Sequence, residues 1–217
     1  MKIPERPQVI RVNTYFDSQN LFLSAKKAFG YKKPDFDPIK LSEYVVSQVD
    51  NAKLYDVYVY TGIHDPRKCP ENLKNNAIYW NRYWANKLGI LGNKGVKIFT
   101  RYLIYQKLDK IVRNKRIFKP NEKGIDVKIA LDILQHASYG LYDLAIIFST
   151  DSDLLPAIEE IKKLRDYREV WLDVNCAYIY CPEKGLERGL PNIDWLRITK
   201  QIYDNCRDET DYSDVSS

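Results

Sequence analysis

Soft metal ligands are scarce in this chain. It has four cysteines, Cys69, Cys176, Cys181 and Cys206, and two histidines, His64 and His136. No two cysteines form a CxxC pair, so the spacing of a structural zinc site is missing. With so few histidines, a Ser–His or Cys–His nucleophilic system has little to build on. No apolar run approaches the length of a membrane span, and MKIPERPQVI has no apolar signal-peptide core. A cytoplasmic location with no membrane partner is the expectation. Internal repeats and low-complexity linkers are also missing. The chain therefore reads as one domain over residues 1–205, with an acidic, disordered tail at 206–217 that ends in DETDYSDVSS.

What is present is a moderately basic body. Lys and Arg number 34 against 29 Asp and Glu, a net charge of +5, and the acidic tail makes the rest more basic still. Such a balance is compatible with a polyanionic partner without requiring one. The most cationic stretch is Lys107–Lys119, KLDKIVRNKRIFK. Its turn-like Arg113-Asn114-Lys115 suggests a protruding hairpin. Flanked by Tyr105 and Phe118, such a hairpin suits a phosphate backbone; a solvated edge ribbon protected by lysines is the plainer alternative.

The central signal is Tyr142–Pro156, YDLAIIFSTDSDLLP. Leu144 to Phe148 is a short unbroken apolar run, as in a strand buried on both faces of a parallel sheet. It stops on Ser149, Thr150, Asp151, Ser152 and Asp153, and a helix start follows at Leu154-Leu155-Pro156. Helix capping explains the Ser/Asp cluster locally. A metal site explains it too, because ligands of open α/β sheets sit beyond the carboxyl ends of the strands.

The same plan occurs near the start. Val9–Asp17 is strand-like, ends on Asp17, and leads into a helix over 21–29 that Gly30 closes. A short helix at 41–49, a strand at 53–62, a helix at 72–88, a glycine turn at 89–95 and a strand at 96–105 come next. The helix at 72–88 carries Trp80 and Trp84, either as core or as a homodimer face. A helix over 124–138 has its apolar stripe at Ile129, Ala130, Ile133, Leu134 and Ala137. Asp126 lies in line with that stripe, so this acid points inward and needs a cation, a set of backbone donors or a shared cleft. Asp132 falls on the polar face beside Lys128, as in a surface ion pair. A fifth strand is expected at 169–174, then loops, a short edge strand at 196–199 and the tail.

Asp17, Asp126, Asp151 and Asp153 thus offer four carboxylates from three segments. Gathered in one cleft they cannot all ionise without a cation. Mg²⁺ or Mn²⁺ is the natural counter-ion for oxygen ligands. The chemistry that follows is attack of water on a phosphodiester, with one ion or two about 3.5–4 Å apart.

FDSQN (Asp17, Asn20), KGIDVKIALD (Lys123, Asp126, Asp132) and STDSD (Ser149 to Asp153) together resemble the three motifs of NYN domains. These are PIN-like nucleases related to LabA-type proteins. The resemblance runs from about residue 9 to about residue 175. It implies a Rossmann-like α/β/α sandwich with a mainly parallel sheet, and Mg²⁺- or Mn²⁺-dependent cleavage of single-stranded or structured RNA. By position, Asp17, Asp126, Asp151 and Asp153 would be the catalytic, metal-binding acids. Asn20 and Ser149 would steady the site, and Lys123 would lie near the substrate. Arg113, Lys115 and Arg116 of the cationic stretch would hold the RNA backbone. Two positions depart from the family pattern, Ser18 and Thr150, where a glycine is common. The alternatives are a non-catalytic RNA-binding or adaptor module, and a Toprim-type domain, which wants a Glu where this chain has Asp17.

Overall fold

A parallel sheet forms the middle layer of the computed structural model, which describes residues 4–112 and 115–212 and their side chains except those of 109–112, 115 and 116. The strand β1 (Ile10–Asp17) runs directly into the helix α1 (Ser18–Phe29), followed by α2 (Pro38–Ser47) and β2 (Ala52–Ile63). Then come α3 (Lys74–Asn93) and β3 (Lys97–Tyr102). The pair β4 (Ile104–Val112) and β5 (Lys115–Asn121) forms a separate antiparallel ribbon. The helix α4 (Ile125–Ser138), β6 (Leu144–Phe148), α5 (Leu155–Arg168), β7 (Asp173–Ile179), β8 (Asp194–Ile198) and α6 (Lys200–Asn205) complete the order.

Across the sheet the order is β3-β2-β1-β6-β7-β8, every pair parallel. The chain builds outward from β1 to β3, returns to the centre at β6, and builds outward the other way. The switch point lies between β1 and β6, which opens a crevice at their carboxyl ends. Those ends are Asp17 and the turn after Phe148.

Side chains of β6 alternate between two cores. Leu144, Ile146 and Phe148 join Val12, Phe16, Leu21, Leu41 and Tyr83 on one face. Ala145 and Ile147 join Tyr15, Ile129, Ile133, Ile158 and Ile161 on the other. Each fully buried aliphatic side chain contributes about 1.5–3 kcal/mol, so a strand of five buried residues is strongly fixed in register. With α1, α2, α3 and α6 on one side and α4 and α5 on the other, this is the three-layer α/β/α sandwich that the motifs imply. Among the described residues no helix is long and apolar enough to cross a membrane.

Several boundaries differ from the sequence reading. The helix α3 runs through Gly89 and Gly92 to Asn93 instead of stopping at Leu88, because Leu88 and Leu91 continue its buried stripe. The turn is left to Gly95, with φ +88°. The strand β7 starts at Asp173, not Glu169. Glu169 takes a left-handed conformation that ends α5, and the register opposite Leu144 begins at Asp173. Trp84 is buried in the core, and Trp80 packs partly against it.

Part of the segment expected to be a disordered tail, residues 206–212, lies against the domain. The helix α6 precedes it, Cys206 is buried, and the Asp208 amide donates to Asp35 O. Tyr212 is buried edge-on against Tyr83, and its carbonyl accepts from Asn86 Nδ2 at 2.8 Å. Residues 213–217 lie outside the described residues. Tyr212→Ala is accordingly expected to cost about 3–5 kcal/mol, the range for large core aromatics. Urea unfolding would read this, and a change under 1 kcal/mol would mean that the segment does not pack in solution.

Candidate active site

Asp17 stands where β1 becomes α1, and its side chain does local work first. Oδ1 accepts the Asn20 amide at 2.9 Å, capping α1. Oδ2 accepts from Ser149 Oγ at 3.2 Å, across the switch point. Ser149 Oγ in turn accepts the Asp151 amide at 3.2 Å, and Asp151 Oδ1 accepts the Asp153 amide at 3.0 Å. Asn20 Oδ1 accepts the Thr150 amide at 3.2 Å. The two acid turns are therefore tied together by Ser149 and Asn20. Both acids are caps, and capping leaves lone pairs on each carboxylate.

These groups border a cleft of about 350 Å³, lined among others by Asp17, Asn20, Glu122, Lys123, Asp126 and Asp151. Asp126 enters from the first turn of α4. Gly124, with φ +74°, turns the chain into that helix, a backbone conformation that suits glycine. Asp153 is exposed on the short turn Ser152–Leu154 and is not among the cleft's lining residues. Asp132 is buried rather than on the surface. It pairs with Lys128 Nζ at 2.5 Å and accepts from Tyr60 Oη at 2.8 Å, away from the cleft lining. Tyr60 comes from β2, a partner that helix periodicity does not reveal.

Glu122 was not singled out from sequence. It lies between β5 and α4, and its Oε2 accepts the Gly62 amide. A side chain at Gly62 would collide with that carboxylate and with Leu103. The only available signal was its place one residue before the Lys123-Gly124-Ile125-Asp126 motif.

The carboxylates feel one another. Burial pushes Asp17 up to about 6; the Asn20 amide and Ser149 hydroxyl oppose this, and Asp151 and Asp126 add to it. Burial pushes Glu122 up to about 7, helped by Asp17 and Asp126 and opposed by the Gly62 amide. Hard oxygen donors that destabilise each other's ionised forms suit a divalent cation. The fit is one of donor chemistry and electrostatics. Among the described residues, no group of three or more His, Cys, Asp or Glu side chains is already gathered at metal-holding spacing.

Lys123 is exposed at the cleft edge. Arg113 lies outside the described residues. Lys115 and Arg116 are described through their backbone alone, paired with Val112 and Ile111 on the ribbon.

The NYN-domain family model matches residues 11–175, from β1 through β6 into β7. The chain belongs to the NYN family. No curated protein matches it. The NYN family is in general one of ribonucleases, which supports a nuclease-type, RNA-processing enzyme here. NYN and PIN-like nucleases typically use divalent metals, and NYN domains act on RNA.

Proposed function

We propose that this NYN protein is an Mg²⁺- or Mn²⁺-dependent endoribonuclease. The observation that carries the reading is the convergence of Asp17, Glu122, Asp126 and Asp151 on one cleft at the topological switch point. Asp17, Asp126 and Asp151 would hold the cation, which when bound supplies charge neutralisation at the phosphate and a more acidic water. Ser149 and Asn20 hold the acid turns in place through the bonds described above. Lys123 and the β4–β5 ribbon would position the RNA backbone, the ribbon by its cationic sequence. Glu122, ionising near neutrality, is the cleft group suited to exchange a proton with water. Asp153, on the exposed turn just after Asp151, would act on the cation indirectly.

The test is cleavage of mixed single-stranded and structured RNA in Mn²⁺, Mg²⁺ or EDTA. Cleavage by the wild type is expected with either metal and not in EDTA. Asp151→Asn is expected to lose more than about a hundredfold, beyond the 10–100-fold typical of indirect metal contacts. Asp153→Asn is expected to keep at least about a hundredth of the rate, within that indirect range. Equal losses in the two variants would place Asp153 inside the site. RNA binding without turnover in both metals would identify an adaptor module instead.

A further inference from the structure

A second cleft, of about 290 Å³, lies beside the acidic one, and the two share Gln19 and Leu23 in their walls. Its apolar surface comes from Phe22 of α1 and from Trp80 and Trp84 of α3. Lys26 and Lys32, both exposed, stand at its rim. Its volume is at the small end of ligand clefts. The ribbon reaches both walls, through Pro120 here and Asn121 next door, with Leu103 leading into it and Glu122 and Lys123 leading out of it.

One polar atom in this lining has no partner. Ser18 is fully buried, and its Oγ makes no hydrogen bond, one of four such buried side-chain atoms among the described residues. A buried hydroxyl left unpaired is unfavourable, because it has lost water and gained no partner. His64 lines the cleft as well, with Nδ1 bonded to Tyr105 Oη at 2.8 Å.

We propose that this cleft is a nucleobase subsite. It takes one unpaired base of the RNA strand whose neighbouring phosphate lies over the carboxylates. The inference rests on the ribonuclease reading and adds to it a requirement for a flipped or single-stranded nucleotide. Aromatic rings supply stacking, the lysines meet the flanking phosphates, and Ser18 Oγ meets the base edge. A paired base cannot enter, so the subsite selects single-stranded RNA or a loop.

The experiment is binding in EDTA, by fluorescence anisotropy, of a labelled single-stranded RNA in which one abasic site is walked along the sequence. The substrate is anchored at one end in a short hairpin so that the register is fixed. For the wild type, one position is expected to lose on the order of tenfold in affinity when its base is missing. In Trp80→Ala that position loses its sensitivity, and in Trp80→Phe, which keeps a ring, it retains it. Ser18→Ala is expected to narrow the spread of affinities among the four bases at that position. Tight binding by the wild type with no sensitive position overturns the subsite and leaves the nuclease reading standing. Sensitivity that survives in Trp80→Ala overturns it too. Failure of the wild type to bind any single-stranded RNA overturns the subsite, while the nuclease reading is decided by the metal-dependent cleavage assay.

Discussion

Asp17→Asn is expected to abolish cleavage and, at neutral pH, to make the protein more stable. The carboxylate is almost wholly buried and ionises only near pH 6, against an ordinary value of 3.8. Below 3.8 the folded and unfolded chains are both protonated, and charge does not distinguish them. Between 3.8 and about 6 the unfolded chain ionises first and the native state loses stability. Above 6 the loss is complete, at most roughly 3 kcal/mol for a gap of that width. Asparagine can still accept the Asn20 amide, and it is an equally good cap. A gain of several degrees in Tm is therefore expected at pH 7.5, shrinking to nothing near pH 3.5. Mn²⁺ should raise the Tm of the wild type and not that of the variant, because a ligand stabilises only a chain that binds it. A variant less stable than wild type at pH 7.5 would mean that Asp17 is held as a structural anion with no cost to be relieved. Retained cleavage would remove it from the site.

The pH profile of cleavage should fall steeply on the acid side. Asp17 and Glu122 share the cleft and ionise near 6 and 7 respectively. Both must lose protons before the cleft carries its full negative charge, and because they interact, the two steps belong to the pair. From pH 8 to pH 5 the rate should drop by about a hundredfold or more, with a slope between one and two in log rate against pH. Metal and protons compete for the same oxygens, so raising Mn²⁺ should carry the acid limb to lower pH. Glu122→Gln keeps an acceptor for the Gly62 amide and should remove the upper step, leaving a single limb nearer 6. A limb that stays fixed as Mn²⁺ rises would mean that the titrating group lies on the RNA or elsewhere in the protein.

The architecture was readable because its chief signals are local. The apolar run Leu144–Phe148 and the strand ending on Asp17 each carry their stop signal in the next residues, and the fold aligns the two ends side by side. Asp126 stood out as an acid on an apolar stripe. Glu122 did not, since its placement depends on an amide 60 residues earlier in the chain. Asp132 looked like a surface residue on its own helix, and the hydroxyl that covers it comes from β2. Val170, Trp171 and Leu172 have strand-like composition, yet the parallel neighbour, not composition, decides where pairing begins. The packing of residues 206–212 is hard to read from sequence for a related reason. Its acidic character is spread along the segment, whereas its docking depends on one aromatic ring, Tyr212, meeting Tyr83.

The β4–β5 ribbon pairs with itself and, among the described residues, with no strand of the sheet. Its root is fixed, with Ile104 opposite Asn121 and the Leu103 amide on Ile63 O. Beyond the root, residues can be added or removed in opposed pairs without disturbing either core. The length of its paired part is thus a ruler that evolution can reset independently of the fold. Under the ribonuclease proposal, related chains with longer or shorter ribbons would then engage different lengths of nucleic acid beside the same carboxylate cleft.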